Sequence, residues 1–118
     1  MKPQGLSRKE RLTVRMEFEA VYQKGKKIRT NPLMHVGLLK RPGEISRLGL
    51  VVPKRIGKAV VRNRVKRRLR EIFRRNKTVT AQGMDVVLYA RPGIQNLDYG
   101  ELEKSYLNLW AGSAPRTL

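Results

Sequence analysis

Apolar residues recur along the chain with two different spacings, and each spacing predicts a different kind of element. Between residues 15 and 24 they return at every third or fourth position, which predicts a helix of about Arg15–Lys24. Phe18, Val21 and Tyr22 share one side of this helix. Gly25 then suits its end, since glycine is common just after a helical C-terminus. The segment before the helix, residues 1–14, is predicted to be extended, with Leu6 and Leu12 as possible anchors.

Three shorter apolar runs predict strands, because they are short and are bounded by Gly or Pro. They are about Leu33–Lys40, Arg47–Pro53 and Asp85–Arg91. The first is followed by a predicted turn at Pro42-Gly43. The unbroken apolar character of residues 48–52 indicates burial on both faces, as in a central strand.

The longest periodic segment predicts a helix of about Ala59–Asn76, and a last helix is predicted at about Tyr99–Ala111. In the last helix, Asp98 is the expected N-cap, and Glu101 stands at the capping-box position. One stripe of the longer helix is apolar and comprises Val61, Val65, Leu69, Ile72 and Phe73. Strands on both sides of this helix imply a parallel pair joined by a crossover. The predicted fold class is α+β, a mostly antiparallel sheet with one crossover helix and helices packed beside it.

Charge changes this picture more than any other property of the sequence. The chain of 118 residues is one domain of ordinary size, yet it holds 27 Lys and Arg against 9 Asp and Glu, a formal net charge of +18. Residues 54–77 alone carry twelve basic side chains and one acid. Like charges on one helix repel, so such a concentration favours a polyanionic partner, mainly nucleic acid or anionic lipid.

Side chains suited to catalysis are scarce. His35 is the single histidine, cysteine is absent, and no acids or histidines have metal-ligand spacing, so catalysis by the protein itself is not expected. Without cysteine there are no disulfides, as suits a reducing compartment. No apolar run reaches the roughly 18 residues that span a bilayer, and the first twelve residues lack a secretory signal. We therefore expect a cytoplasmic protein.

The basic helix and the first helix offer the two candidate binding features. In residues 58–77 Arg outnumbers Lys seven to three, and its planar fork suits phosphates and base edges. Such a helix fits a DNA groove or a folded RNA, and composition alone does not decide between them. Phe18 and Tyr22 either stack on unpaired bases or pack in the core.

The segment KRIGKAVVRNRVKRRLREIFR, residues 54–74, closely resembles the signature of the bacterial ribonuclease P protein family. The likeness extends to RMEFEAVYQKGK upstream and DVVLYARPG downstream, and so covers nearly the whole chain. It implies a single RNA-binding domain over residues 1–118, folded as a small α/β sandwich with a four-stranded sheet. It also implies a left-handed crossover through the basic helix, although almost all such crossovers are right-handed.

The resemblance implies a function as well. The family's protein joins a catalytic RNA, and this ribonucleoprotein removes the 5′ leader from precursor tRNA by endonucleolytic hydrolysis. The RNA, in a 1:1 complex, holds the required Mg²⁺ and performs the reaction, so no catalytic residue or protein-bound cofactor is expected. The protein broadens the substrate range and lowers the Mg²⁺ requirement. DNA and membranes are not expected partners.

Site residues follow from the resemblance position by position. Those matching the family's contacts to the catalytic RNA are Lys54, Arg55, Lys58, Arg62, Asn63, Arg64, Lys66, Arg67 and Arg70. Phe18 and Tyr22 match aromatic residues of the cleft that holds the single-stranded leader. A further cleft aromatic is often found where this chain has Val36, so the leader track departs from the family there. His35 is no substitute, because adjacent strand residues face opposite ways.

Three other functions remain open from the residues themselves. A structural RNA-binding protein would share the basic surface without a role in tRNA processing, and buried aromatics would favour it. A DNA-binding regulator needs a protruding recognition helix, whereas the apolar stripe packs this helix on a sheet. A helix lying on a membrane surface would need that same stripe for lipid.

Overall fold

The computed structural model describes residues 10–13, 15–30, 33–39, 45–76, 84–110 and 116–117. Its three helices are α1 (Arg15–Lys24), α2 (Ala59–Arg75) and α3 (Tyr99–Trp110). Its strands are β1 (Lys26–Thr30), β2 (Leu33–Leu39), β3 (Arg47–Val51), β4 (Met84–Ala90) and β5 (Arg116–Thr117). Short 3-10 turns occupy Lys54–Ile56 and Ile94–Asn96. None of the helices in these ranges is long and apolar enough to cross a membrane.

The strands form one sheet in the order β1-β2-β4-β3, and β5 pairs with β2 beyond the end of β1. β2 is antiparallel to both β1 and β4, while β3 and β4 are parallel and are joined through α2. The predicted parallel pair with a crossover helix is therefore confirmed. The predicted four-stranded sheet is wrong by one strand, since the described residues form five. The fifth is the two-residue β5, which is too short to leave a pattern in the sequence.

The two faces of the sheet carry separate apolar clusters because side chains alternate along each strand. On one face, α2 and α3 cover the larger cluster, to which β4 contributes Met84, Val86, Leu88 and Ala90. On the other face α1 covers a smaller cluster, whose buried members are Leu12, Val21 and Val87 and whose half-buried members are Phe18, Val51 and Tyr89. The protein thus has helices on both sides of its sheet.

β3 lies at the edge of the sheet, so its predicted central position is wrong. The apolar run in β3 has another cause. Its two faces are covered by the two clusters, and the chain before α1 closes its free edge through a parallel bridge between Arg11 and Leu48. The backbone N–H of Leu12 donates to the carbonyl of Leu48 at 2.8 Å. Leu12, expected as an anchor, is buried there.

Helix ends follow the local signals in the sequence. α1 has its predicted bounds, and α2 ends one residue early because Asn76 caps it, with its N–H bonded to the carbonyls of Ile72 and Phe73. The capping box of α3 is confirmed. Asp98 Oδ1 accepts from the Glu101 N–H at 2.8 Å, and Glu101 Oε1 accepts from the Asp98 N–H at 3.0 Å. Leu6, the Pro42-Gly43 turn and Ala111 lie outside the described residues.

Candidate nucleic-acid interface

Several cations of α2 are held by acceptors of the protein itself. Arg68 Nη1 donates to the Leu97 carbonyl at 3.1 Å. Arg74 forms a two-point contact with Glu71, with Nε to Oε1 at 3.0 Å and Nη2 to Oε2 at 2.6 Å. Arg75 Nη1 reaches the Tyr99 hydroxyl at 3.3 Å. These three arginines lie toward the C-terminal half of α2, where they tie the helix to its own surface and to the start of α3.

A second group of cations has no such acceptors. Lys54, Arg55, Lys58 and Arg67 are exposed, and within the described ranges none of them forms an ion pair or a side-chain hydrogen bond. Asn63 is exposed beside them on the outer face of α2. All five belong to the set of predicted RNA contacts. Their charge and hydrogen-bonding capacity are directed at solvent, where phosphate groups could bind.

The other predicted contacts are partly buried. Arg62 Nε donates to the Gly57 carbonyl at 3.0 Å, and this hydrogen bond fixes the orientation of the guanidinium group. Arg64 Nε is shielded from solvent and has no hydrogen-bond partner among the described residues. Burial lowers the pKa of Arg70 below its ordinary value, and the positive charge of Arg11 lowers it further. Half-buried Lys66 completes the set. All nine predicted positions thus lie in one continuous segment, formed by the 3-10 turn, the N-cap residue Lys58 and α2.

Gly57 sets the angle between that turn and α2. Its φ of 154° is a conformation that residues with a side chain rarely adopt. A Cβ at this position would also lie 3.2 Å from Val61 Cβ and Cγ1. Glycine is therefore needed for the turn cations to be placed beside the first turn of α2.

The second candidate site lies on the opposite face of the sheet, between α1 and the strands. Phe18 is half-buried there, and its ring lies so close to Gly49 that a Cβ at 49 would be 2.5 Å from Phe18 Cζ. Tyr22, one turn later on α1, is 45% exposed. The two predicted aromatics therefore differ: Phe18 belongs largely to the packing of α1, and Tyr22 faces solvent.

Tyr89 is a third aromatic residue of this cleft and was missed from the sequence. Its ring meets that of Tyr22 edge to face, with centroids 5.9 Å apart and planes at 69°. Burial, and secondly the neighbouring Tyr22, raise the pKa of Tyr89 above its ordinary value, so the phenol stays neutral. Its position in the apolar run of β4 resembled core. Only its alternation with Val86 and Leu88 could have placed it on the other face.

Val36 lies in β2, where the register pairs it with Val87 of β4 and with Lys27 of β1. The ammonium of Lys27 lies 4.5 Å from the centroid of the Tyr22 ring, a cation–π contact. The described part of this cleft is therefore formed by α1 and by β1, β2 and β4. It contains the exposed ring of Tyr22, the half-buried ring of Tyr89 and the ammonium of Lys27.

An ion-pair network fixes α1 on this face. Asp85, fully buried, accepts from Arg47 Nε at 3.0 Å and from Arg47 Nη2 at 2.8 Å. Arg47 Nη1 lies 2.7 Å from Glu17 Oε2 of α1. The hydrogen bond with Asp85 is the main cause of a raised pKa for Arg47, against the opposing effect of burial. These partners are far apart in sequence, so no local pattern predicted them.

Comparison with known proteins gives the same family throughout. The family model described as Ribonuclease P matches residues 6–113 of this chain. The chain is 37% identical over 111 residues to the ribonuclease P protein component of Thermotoga maritima, covering 90% of this chain and 93% of the relative. It is 35% identical over 113 residues to the ribonuclease P protein component of Bacillus cereus strain B4264, covering 96% and 98%.

Solved structures agree with the sequence relatives. The RNase P protein from Thermotoga maritima superposes with a TM-score of 0.77 at 34% identity, covering 89% of this chain and 98% of that one. The Staphylococcus aureus RNase P protein gives a TM-score of 0.78 at 25% identity, covering 85% and 91%. The α+β architecture is therefore that of these proteins.

Proposed function

Because the chain belongs to the ribonuclease P protein family, we propose that it is the protein subunit of a ribonucleoprotein that removes the 5′ leader of precursor tRNA. In this proposal the catalytic RNA holds Mg²⁺ and hydrolyses the phosphodiester bond, and the protein binds that RNA in a 1:1 complex. The protein also binds the single-stranded leader, broadens the range of substrates and lowers the Mg²⁺ requirement.

One observation supports this function above others: an exposed basic surface and an aromatic cleft lie on opposite faces of the sheet. The cations that have no acceptor among the described residues, represented by Arg55 and Arg67, belong to the 3-10 turn and α2 on one face. The rings of Tyr22 and Tyr89 belong to the cleft under α1 on the other. A protein that only screens the negative charge of a folded RNA needs the basic surface alone. A protein that also holds an unpaired strand needs both, since bases stack on aromatic rings.

The proposed RNA contacts divide by their surroundings. The exposed cations would pair with phosphates and release counterions, which makes binding salt-dependent. The hydrogen bond from Arg62 Nε to the Gly57 carbonyl orients the guanidinium group, so its two Nη groups would point in a fixed direction toward the RNA. Asn63 would supply one donor and one acceptor for a base edge or a ribose hydroxyl.

Further parts of the proposal rest on the family resemblance. They are the left-handed sense of the crossover through α2 and the absence of DNA and membrane from the partners. Residence in the cytoplasm is proposed from the composition, because the sequence has no cysteine and no apolar run long enough to span a bilayer. Phe18, Tyr22 and Val36 are carried over as the leader track, and the likeness of fold to solved ribonuclease P proteins supports their placement.

The test is cleavage of precursor tRNA by a bacterial ribonuclease P RNA at low Mg²⁺, with and without this protein. We expect the protein to rescue cleavage, and the rescue to grow with leader length until the leader fills the cleft. Arg67→Ala should weaken the rescue, while Lys104→Ala, at an exposed position of α3, should leave it unchanged. Tight RNA binding without rescue would instead identify a structural RNA-binding protein.

A further inference from the structure

The aromatic surface of the cleft is centred on Tyr22 and Tyr89 and not on Phe18. The Phe18 ring is pressed onto the backbone at Gly49 and packs with Val21 and the other members of the smaller cluster. Tyr22 and Tyr89 retain exposed ring surface, and their edge-to-face contact holds each at a fixed angle to the other. Two rings at 69° form a corner, which offers a flat base one face to stack on and one edge to meet.

Sheet register relates Tyr89 to the position where the cleft lacks an aromatic residue. Val36 is paired with Val87, and Tyr89 follows Val87 by two residues on the same face of β4. In an antiparallel pair such a diagonal neighbour lies about 7–8 Å away, within the reach of an aromatic side chain. A ring at Tyr89 can therefore cover the sheet surface at position 36.

A cation stands beside this corner. The Lys27 ammonium is exposed and lies 4.5 Å from the Tyr22 centroid, on the strand that pairs with β2 at position 36. A phosphate next to a stacked base would meet this ammonium. The neutral phenol of Tyr89 adds no charge that would repel the phosphate.

We propose that Tyr22 and Tyr89 together form a base-stacking corner for one unpaired nucleotide. In this proposal Tyr89 supplies the aromatic ring that is absent at position 36, where this chain has valine. This inference rests on the proposed function, because the nucleotide is assigned to the single-stranded leader. Stacking tolerates any base, so the corner would contribute affinity for a leader without selecting its sequence.

The experiment uses the protein assembled with a bacterial ribonuclease P RNA and measures Kd for precursor tRNAs of increasing leader length and for mature tRNA. Tyr89→Leu should weaken binding of long-leader precursor about tenfold and leave mature tRNA unchanged, whereas Tyr89→Phe should bind as the parent does. Tyr99→Leu is the matched control, since Tyr99 packs on the other face of the sheet. Adding Val36→Tyr to Tyr89→Leu should restore the lost affinity.

Several outcomes would overturn the inference. An equal loss for precursor and mature tRNA would make Tyr89 structural, and an unchanged precursor Kd would exclude its contact with the leader. If the parent protein itself shows no preference for precursor over mature tRNA, the leader-binding function fails, which is a separate result.

A measurement on the unaltered protein covers the case in which Tyr89→Leu does not fold. Precursor tRNAs carrying a single photoreactive 4-thiouridine at successive leader positions are crosslinked to the complex, and the adduct is mapped by mass spectrometry. The same leader position should crosslink to both Tyr22 and Tyr89. Crosslinks that map to Tyr22 without Tyr89, only to Phe18, or only outside the cleft would overturn the proposal.

Discussion

At the scale of single residues, Gly49 determines where the ring of Phe18 can lie. We expect Gly49→Ala to reduce the free energy of unfolding by about 1–3 kcal/mol, because its Cβ would fall 2.5 Å from Phe18 Cζ and would displace the ring from a packed cluster. Urea denaturation measures this. Gly100→Ala is the control: its Cβ would meet only Asp98 Oδ1, at 3.6 Å, and alanine in a helix should stabilise slightly. Equal effects of the two changes would show that the ring moves aside at little cost.

Two arginines of α2 allow a second test at this scale. Arg67 is exposed and has no acceptor in the part of the chain that the structure describes, whereas Arg74 is paired with Glu71 through two hydrogen bonds. Arg67→Ala should weaken binding to the catalytic RNA and reduce the slope of log K against log salt by about one. Arg74→Ala should change the slope less. Binding measured at four or more salt concentrations distinguishes the two variants. A slope for Arg67→Ala equal to that of the parent protein would show that Arg67 does not contact the RNA.

The sequence predicted single residues unevenly, for physical reasons. The shared side of Phe18 and Tyr22 on α1 was predicted because a short amphipathic helix shows its faces through spacing alone. Tyr89 was missed because an aromatic residue inside an apolar strand looks like core until its neighbours are placed. The contact of Arg47 with buried Asp85 was missed because the two residues are 38 positions apart and meet only through strand pairing.

At the scale of elements, α2 contains one acid among its cations, and this acid makes part of the stability depend on pH. The hydrogen bonds from Arg74 hold the pKa of Glu71 below its ordinary value of 4.5, with burial opposing and the charges of Arg74 and Arg75 adding to the effect. The folded protein therefore binds a proton at Glu71 less readily than the unfolded chain. The stabilising contribution is complete above pH 4.5 and is lost as the pH falls through the lowered pKa.

Glu71→Gln should accordingly lower the free energy of unfolding at pH 7, and the difference from the parent protein should shrink as the pH falls into the acid range. The measurement is urea denaturation of both proteins at pH 7, 5, 4 and 3. The gap between the two midpoints should be constant from pH 7 to 5 and should narrow below that. The effect is small because solvent screens the pair. A gap that is independent of pH would show that the loss comes from packing and not from the charge of Glu71.

Helices were predicted closely because their signals are local. The capping box at Asp98 and Glu101 and the apolar stripe of α2 each lie within one element. Strands were predicted less well. β1, with the sequence KKIRT, has no apolar alternation, and it is a strand because its backbone pairs with β2. The edge position of β3 could not be read locally either, since the segment around Arg11 provides its cover.

At the scale of the whole molecule, a net charge of +18 is gathered mainly on the first and middle parts of the chain. Exposed cations without acid partners repel one another, and a multivalent anion that binds only the folded surface should relieve this. We expect sulfate to raise the free energy of unfolding above that in chloride of equal ionic strength, by about 2.7 kcal/mol when sulfate is 100-fold above its Kd, and to raise the urea midpoint accordingly. Identical midpoints in the two salts would show that the folded protein tolerates its charge without a bound anion.

The order of the strands has a consequence for the synthesis of the protein. β4 lies between β2 and β3 in the sheet, although it follows both of them in the chain. Neither earlier strand can complete its pairing until residues 84–90 have left the ribosome, and α2 has no finished sheet to pack on before then. Synthesis of the segment between the end of α2 and the end of β4 takes roughly 1–3 s at about 5–20 residues per second, and for that time the basic helix is not held in place by the sheet. Burial of its apolar stripe is thus a late event in biosynthesis, and cations of the nascent chain are free to bind RNA first.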